Sequence, residues 1–225
     1  MSSRIDLRGH LSSWQRLALG ALMLLVSLGY LPLNRLMSGG VTVDIWLDRY
    51  VPLWTVWIVP YLLTLVWWVV AGLWALWAMD DGLYAAFVSS WILACLIGFS
   101  VFVLYPTYMV RPQVSGEGWT DQIVRYVYAN DRTYNAFPSM HVWATTTISL
   151  YWSRWRPRWR GWLVAATIVV AFSTVLSGQH WIMDVVGGTI LALVCYPLGL
   201  RLAAGWLAAM RRTSLDEAAR GGEPV

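Results

Sequence analysis

The sequence predicts an all-α, polytopic membrane protein, a bundle of six transmembrane helices with a long outer loop before the fourth. Three observations lead to this fold class. Hydrophobic residues make up 58% of the 225 residues and charged residues only 12%, which is too apolar for an ordinary soluble domain. Six apolar stretches are long enough to cross a bilayer. Arginines gather in the connections between these stretches.

The six predicted spans follow from length and composition. A spanning helix needs about 20 apolar residues, because the hydrocarbon layer is about 30 Å thick. The stretches that meet this need lie at residues 14–36, 53–77, 83–104, 139–153, 161–177 and 180–203. The fourth carries hydroxyl side chains between Thr145 and Ser149, so we expect it inside the bundle. Cys95 and Cys195 lie in apolar stretches, and we interpret them as small buried hydrophobic residues.

The arginine distribution predicts the orientation. All 16 basic residues are arginine. Three groups of them precede the first span, join the fourth to the fifth and follow the last: Arg4, Arg8, Arg16, Arg154, Arg156, Arg158, Arg160, Arg211, Arg212 and Arg220. Because arginine favours the cytoplasmic side, both termini of this cell-membrane protein are predicted to be cytoplasmic. Residues 37–52, 105–138 and 178–180 then lie on the extracellular or periplasmic face.

The chain is predicted to form one integral membrane domain over residues 1–210. The tail, 211–225, is rich in Ala, Gly, Glu and Arg without apolar periodicity, and we expect it to be disordered and cytoplasmic. Residues 38–52 are too short to span a membrane and predict an interfacial helix or turn. The pI near 9.3 reflects topology and anionic phosphate groups better than nucleic acid. The sequence specifies no oligomeric state.

The outer connection 105–138 is long for a loop, at about 34 residues, and such loops are usually functional or disordered. Its polar residues favour function: Arg111, Arg125, Asp131, Arg132, Tyr134 and Asn135. They lie on the same predicted face as two segments that contain histidine, 135–141 and 177–184.

The two histidine segments begin the fourth and sixth predicted spans. Since both spans start on the outer face, the unpaired N–H groups of their first turns can face one shared site, which suits a phosphate. Ser139 and Ser177 are predicted N-caps. For each serine alone, ordinary capping without a ligand is an equal alternative.

The spacing of His180 and Asp184 predicts a functional pair. Four residues apart on a helix, they share a face, so the carboxylate can accept one ring proton and leave the other nitrogen as a nucleophile. His141 could donate a proton to a leaving oxygen, and Gly187 and Gly188 would allow close packing. The alternatives are a buried packing pair and a metal site of two imidazoles and a carboxylate. Nearby arginines would repel a cation, so no metal and no cofactor are predicted.

These residues resemble the type 2 phosphatidic acid phosphatase superfamily of membrane lipid phosphatases and phosphotransferases. Its motifs are KxxxxxxRP, PSGH and SRxxxxxHxxxD. Arg111-Pro112 matches the end of the first, residues 138–141 match the second except that Met140 replaces glycine, and His180 with Asp184 matches the end of the third. The resemblance covers residues 44–200.

The chain departs from this pattern at two cations. The lysine of the first motif falls on Leu104, and the Ser-Arg of the third falls on Ser173-Thr174. In these departures the motifs are more similar to the branch that includes fungal inositol phosphorylceramide synthase and sphingomyelin synthase, which transfer a phospho-headgroup to an alcohol.

The resemblance implies a mechanism in which His180 attacks a lipid phosphate, Asp184 orients it and His141 is the general acid. The residues expected to bind the phosphate are Arg111, Ser139, Pro138 and Gln179, with Arg125 or Arg132 in place of the missing cations. The expected function is metal-independent hydrolysis of a lipid phosphate monoester or diphosphate at the outer face through a phosphohistidine. The alternatives are headgroup transfer to inositol or a ceramide-like lipid, and a non-catalytic lipid-binding or lipid-moving protein. The expected partners are the lipid substrate and the bilayer.

Overall fold

The computed structural model describes the backbone of residues 5–220 and the side chains of residues 5–213. Within this part the regular structure is helical, which confirms the all-α class. The α-helices are α1 (Ser13–Leu28), α2 (Tyr30–Leu36), α3 (Ile58–Ala78), α4 (Asp81–Leu104), α5 (Trp119–Asn130), α6 (Met140–Trp155), α7 (Arg160–Leu176) and α8 (Ile182–Arg220). Short 3-10 helices lie at Asp48–Tyr50, Thr55–Trp57 and Pro157–Trp159.

Five helical segments are long and apolar enough to cross a membrane, so the chain has the character of a multi-pass membrane protein. They are Ser13–Leu36, Thr55–Ala78, Asp81–Leu104, Pro157–Leu176 and Ile182–Thr213, and they coincide with five of the six predicted spans. α6, at the fourth predicted span, has only 16 residues. Its length is therefore about 24 Å, against about 30 Å for the hydrocarbon layer. Residues 142–149 of α6 are all buried, which confirms the expectation from their hydroxyl side chains that this segment lies inside the bundle.

The first apolar segment is broken between α1 and α2. Pro32 has no N–H to donate to the carbonyl of Leu28, and its ring clashes with that carbonyl in a straight helix. Gly29 lies at the break, where its amide donates to the carbonyl of Val26 at 3.0 Å. Asn34, near the end of α2, is buried and donates to the carbonyl of Tyr134 at 3.1 Å. The broken helix therefore reaches the loop that precedes α6.

α4 and α8 form the centre of the bundle. Ser90 of α4 is fully buried, and its hydroxyl donates to the carbonyl of Cys195 in α8 at 3.0 Å. The same hydroxyl lies 2.7 Å from the hydroxyl of Tyr151 in α6, so three helices meet at one side chain. Cys95 and Cys195 are free and fully buried, which confirms that they behave as core residues.

The bundle has two ends, which we call the arginine end and the site end. The arginine end contains residues 5–12, 79–81 and 154–160, and the site end contains residues 37–54, 105–139 and 177–181. At the arginine end the backbone of Leu11 donates to Asp81 at 3.0 Å. Arg211 lies 3.3 Å from Asp6 there. The segment 154–160 joins them through Trp159, whose ring lies 5.3 Å from that of Trp74 near the end of α3. The predicted basic segments therefore meet at one end, apart from Arg4 and the side chain of Arg220, which lie outside the described residues.

The connections differ from the predictions in two places. The long outer loop is not continuous coil, because α5 lies within it and buries Val124 against Ile58 and Tyr61 of α3. At the other end of the chain, α8 continues to Arg220 instead of ending before a disordered tail at 211. Ala, Arg, Leu and Glu are strong helix formers, so the helix propagates beyond its apolar part. Residues 221–225 of the expected tail lie outside the described residues.

Candidate active site

The two histidine segments meet at the site end. The rings of His141 and His180 lie 6.1 Å apart between centroids. The amide of Ser139 donates to the carbonyl of Asp184 at 3.0 Å, which ties the start of α6 to the first turn of α8. A Cβ on Gly188 would lie 2.6 Å from the carbonyl oxygen of Ser139, so this approach requires glycine. The close packing predicted for Gly188 is confirmed.

His180 precedes α8 instead of lying on it. Gly178 has a φ of +67° and turns the chain after α7, so that the amides of Gln179 and His180 both donate to the carbonyl of Thr174, at 3.0 and 3.1 Å. His180 Nδ1 then lies 3.2 Å from Asp184 Oδ2. The pair forms, but across the junction of turn and helix and not along one helix face.

The predicted cap at Ser177 is wrong. Ser177 is the C-cap of α7, and its hydroxyl donates to the carbonyl of Ser173 in that helix. The amides at the start of α8 are also occupied: Trp181 N–H donates to Asp184 Oδ2 at 2.8 Å, and Ile182 N–H to Asp48 at 2.9 Å. Those two groups are therefore not free to bind a phosphate.

Ser139 does occupy the N-cap position of α6, as predicted. Its side chain, however, makes no capping hydrogen bond. It is fully buried, and its hydroxyl has no partner among the described residues. The hydroxyl is therefore free for a ligand.

Asp48 is the positioning residue that the sequence did not reveal. One carboxylate oxygen accepts from Ile182 N–H, and the other accepts from Ile45 N–H at 2.7 Å. The contact joins residues 134 apart in sequence. An aspartate in a short connection carries no local signal of this role, and only the folded chain brings it to α8.

Arg111 reaches the histidines through Gln179. Its Nη1 donates to the carbonyls of Tyr128 and Asp131 at 2.8 and 2.7 Å, and its Nη2 donates to Gln179 Oε1 at 3.1 Å. Its guanidinium also lies 4.7 Å from the centre of the Tyr128 ring. The side chain is 10% exposed. Because Gln179 directly precedes His180 in the chain, these contacts place a mostly buried cation beside the candidate nucleophile.

Burial raises the pKa of two groups around Arg111. Asp131 Oδ2 lies 3.5 Å from Arg111 Nη2. Burial raises the pKa of Asp131 above its usual value, while the charge of Arg111 acts in the opposite direction. Burial also raises the pKa of Tyr128 to about 12, so its phenol stays protonated and donates to the carbonyl of Ser177 at 2.9 Å. α5 is thereby fixed to the turn that carries Gln179 and His180.

His141 is packed between aromatic side chains of α3. The Tyr61 ring is stacked on the imidazole, with centroids 4.2 Å apart and planes inclined by 25°. The Trp68 ring lies 5.2 Å away, and its N–H donates to Thr145 at 3.1 Å. Trp68 of α3 thus packs against α6 inside the bundle. Neither aromatic residue carried a signal that distinguishes it from other apolar positions.

The site has a cluster of buried polar atoms without partners. Of nine such atoms among the described side chains, five belong here: Arg111 Nε, Ser139 Oγ, His141 Nε2, Gln179 Nε2 and Asp184 Oδ1. A buried polar group without a partner costs about 1–3 kcal/mol, so native proteins contain few of them. The first four can donate hydrogen bonds, since His141 donates when its Nε2 is protonated. The site therefore has the polarity of a receptor for an anion.

A comparison with known protein families matches residues 41–198 to the PAP2 superfamily. The matched range includes every residue of this cluster. The chain belongs to the PAP2 superfamily. This superfamily comprises phosphatases and phosphotransferases, which supports the prediction that the chain is an enzyme acting on lipid phosphates. The match does not distinguish the inositol phosphorylceramide synthase-like branch. No curated protein and no solved structure matches the chain.

The two PAP2 motif positions without a cation have different surroundings. Leu104 is 82% exposed and ends α4. Thr174 is fully buried, and its carbonyl accepts from Gln179 and His180. Its side chain donates to the carbonyl of Ala171 within α7. Thr174 thus supports the turn that presents His180, without a charge of its own.

Arg125 and Arg132, proposed as replacements, have other contacts in the structure. Arg125 is exposed and donates to the carbonyls of Val114 and Gly116 at 3.1 and 2.7 Å. Arg132 is exposed and donates to the carbonyl of Arg35, near the end of α2. Within residues 5–213, neither guanidinium has a hydrogen bond or ion pair with the histidine cluster. Pro138 is buried and directly precedes Ser139 in the chain, so it adjoins the candidate site.

The donors of the cluster do not form an evident metal centre. Within the part of the chain that the structure describes, no three His, Cys, Asp or Glu side chains are grouped so that they could hold a metal ion. One oxygen of Asp184 already accepts from the backbone of Trp181 and faces His180. The geometry therefore favours a pair in which the carboxylate orients the imidazole.

Proposed function

We propose that this PAP2 protein hydrolyses a lipid phosphate monoester or diphosphate through a phosphohistidine at His180. The observation that carries this proposal is the group of four buried, unpartnered donors on Arg111, Ser139, His141 and Gln179. A phosphoryl group presents oxygens in several directions, and hydrogen bonds to these oxygens stabilise the charge that develops during transfer. The same donors would otherwise remain buried without partners.

In the first step His180 is the nucleophile. Asp184 Oδ2 accepts the proton on His180 Nδ1, at 3.2 Å, so the lone pair of Nε2 is available to attack phosphorus. The N–P bond forms as the bond from phosphorus to the lipid oxygen breaks. His141 donates its Nε2 proton to the departing oxygen, a general-acid contribution of about 10²–10⁴-fold.

In the second step His141 is the general base. It takes a proton from water, the water oxygen attacks phosphorus, and the N–P bond to His180 breaks. Phosphate leaves, and both histidines return to their starting protonation states. The stacked ring of Tyr61 holds the imidazole of His141 in place through both steps.

The membrane arrangement is also part of the proposal. α6 would act as a sixth span, shielded from lipid by the helices around it, and the arginine end would be cytoplasmic. The site would then open to the extracellular or periplasmic face. A cysteine in place of exposed Ser115 should react with a membrane-impermeant maleimide in intact cells. A cysteine in place of Thr213 should react only after lysis, and the reverse labelling pattern would contradict this orientation.

One observation favours transfer of a phospho-headgroup to an alcohol as the second candidate function. Arg111 is the arginine of the cluster, and the carboxyl group of Asp131 lies 3.5 Å from its guanidinium. This neighbour reduces the local positive charge. A phosphodiester carries one negative charge where an ionised monoester carries up to two. A weakly cationic site therefore discriminates less against a diester donor such as a phosphoinositide, with inositol or a ceramide-like lipid as the acceptor.

The decisive experiment is to trap the phosphoenzyme. Purified protein in EDTA is mixed with lipid phosphates radiolabelled in the phosphate group, and then quenched in base, where phosphohistidine survives. We expect label on the wild type and on His10→Ala, and none on His180→Ala. Label on His180→Ala would overturn the nucleophile. A requirement for a divalent ion would favour the metal site.

Product identity separates the candidate functions. Release of free phosphate from a monoester, unchanged by added inositol, supports hydrolysis. A new phospholipid that forms only when an alcohol is added supports transfer. Binding of labelled lipid without phosphoenzyme or product would instead support the non-catalytic lipid-binding or lipid-moving protein.

A further inference from the structure

A cavity lies on the side of the histidines toward the arginine end, in a groove between α7 and α8 with α6 as its floor. Its volume is about 460 Å³, within the range of about 300–1,000 Å³ that is usual for ligand sites. The lining residues come from all three helices: Thr146, Ser149, Leu150, Ser153, Arg154, Arg160, Val164, Thr167, Ile168 and Tyr196. None of these lining residues is acidic.

Two arginines give the groove its charge. Arg154 ends the exposed side of α6 and Arg160 begins α7, so both lie at the arginine end. Both side chains are exposed, and neither guanidinium makes a hydrogen bond or ion pair with residues 5–213. The two neighbouring arginines differ, because Arg156 lies over the Trp155 ring at 4.0 Å and Arg158 over the Trp159 ring at 5.9 Å. The groove therefore has two cations with no counter-charge among its lining residues.

The interior of the groove combines apolar walls with one buried hydroxyl that has no partner among the described residues. Val164 and Ile168 are about half exposed on α7, facing what would be the hydrocarbon layer. The hydroxyls of Ser149 and Thr167 are bonded to each other at 2.7 Å. Thr146, by contrast, is 7% exposed and its Oγ1 has no partner among the described residues. An occupant with apolar chains and a polar linkage would cover Val164 and Ile168 and give the hydroxyl of Thr146 a partner.

We propose that this groove binds one anionic phospholipid as a ligand that is not the substrate. Its phosphate would lie between Arg154 and Arg160, one acyl chain would run along Val164 and Ile168, and an ester oxygen would bond to Thr146. Charge complementarity supports a lipid of negative charge, since arginines near a membrane surface attract anionic headgroups. Residues 141 and 154 are 13 positions apart on α6, about 20 Å, so the proposed position of this phosphate is separate from the histidine cluster.

The test measures lipids retained by purified protein. Full-length protein in detergent is equilibrated with equal amounts of phosphatidylglycerol and phosphatidylcholine, and bound lipids are counted by native mass spectrometry. We expect wild type to retain one phosphatidylglycerol in preference to phosphatidylcholine. Arg154→Gln with Arg160→Gln should lower that retention by about tenfold or more, as expected for two lost arginine contacts. The matched control, Arg156→Gln with Arg158→Gln, removes the same charge and should change it less than about twofold.

A second pair of variants tests the acyl-chain part of the groove. Val164→Trp fills the groove and should displace the lipid while both arginines remain. Val169→Trp adds the same ring to α7 outside the groove lining and should have no effect. Equal losses in both arginine pairs would reduce the site to general surface charge and overturn the proposal. So would displacement of the lipid by millimolar inorganic phosphate alone, or no preference for phosphatidylglycerol in wild type.

Discussion

The two ends of the bundle each bring together an arginine, an aspartate and a histidine, but they use them differently. At the arginine end, Arg16 donates to Asp81 and to the carbonyls of Ala75, Leu76 and Met79. Asp81 in turn accepts from the backbone of Leu11, and His10 lies 3.1 Å from it. Every nitrogen of the Arg16 guanidinium has a partner. This cluster closes the end of α3 against the start of α4.

At the site end the corresponding residues are Arg111, Asp184 and His180. Arg111 also donates to backbone carbonyls, yet its Nε has no partner, and neither does Asp184 Oδ1. His180 is 8% exposed, whereas the side chain of His10 is 91% exposed. The same residue types are therefore satisfied where they hold helices together and unsatisfied where a ligand would complete them. Unpaired atoms, more than residue identity, distinguish the candidate site.

The largest difference is expected between the two histidines. His180→Ala removes the proposed nucleophile and should lower turnover of a lipid phosphate at least about 10³-fold. His10→Ala should leave turnover unchanged, because its exposed ring contacts only the structural cluster. Phosphate release per folded molecule measures both. Equal losses in the two variants would remove the functional distinction between the clusters.

The two arginines should separate catalysis from stability. Arg111→Gln removes a donor to the phosphoryl group and should lower kcat/KM by about 10²–10³-fold. Arg16→Gln removes the arginine partner of Asp81 and of three carbonyls, and it should lower the free energy of unfolding by about 3 kcal/mol, with kcat/KM per folded molecule unchanged. Thermal unfolding and kinetics on the same preparations provide the comparison. A variant of Arg16 that unfolds normally but loses activity would contradict it.

The two serines provide a smaller effect with the same logic. Ser139→Ala removes a hydroxyl that has no protein partner, so stability should not fall, while kcat/KM should drop by about 10- to 100-fold. Ser177→Ala removes a hydroxyl bonded to Ser173 and should cost about 1 kcal/mol of stability with little effect on activity. If Ser139→Ala destabilised the protein and left kcat/KM intact, its hydroxyl would be structural.

The smallest expected effect concerns Asp131. Asp131→Asn removes a carboxylate near Arg111 and should lower KM by about two- to fivefold, since an interaction of this kind is worth about 1 kcal/mol or less. The raised pKa of Asp131 means that it takes up its proton at a higher pH than an ordinary aspartate. Acidification should therefore lower the KM of wild type, and Asp131→Asn should lose that dependence. Asp44→Asn, an exposed carboxylate at the same end, is the control.

The spans were predictable because the bilayer imposes a length and an apolar composition on each one. The start of α8 was not, because the turn depends on the positive φ of Gly178 and on the carbonyl of Thr174, three residues before the apparent cap at Ser177. Arg16 illustrates a different limit. Its position before a span predicted a topological charge, and only packing shows that it closes α3 with its guanidinium.

The candidate site divides in the same way. His141, His180, Asp184 and Arg111 were found from motif spacing, and the structure brings them together. Asp48 and Tyr61 were not found, since one acts across 134 residues and the other looks like any aromatic residue in a span. Arg125 and Arg132 had the right charge, but Arg125 binds carbonyls of its own loop and Arg132 binds the carbonyl of Arg35 in α2. Composition cannot tell a cation for a ligand from one that holds a loop.

The bond between Asp48 and Ile182 has a consequence for how the protein is made. Asp48 leaves the ribosome long before its partner, and His180 and Asp184 follow with the turn before α8 and the first turn of that helix, the last helix among the described residues. A nascent chain that stops before Gly178 therefore lacks the proposed nucleophile, its orienting carboxylate and the backbone amide of Ile182 that binds Asp48. Synthesis order thus delays the proposed chemistry until the start of α8 has been made.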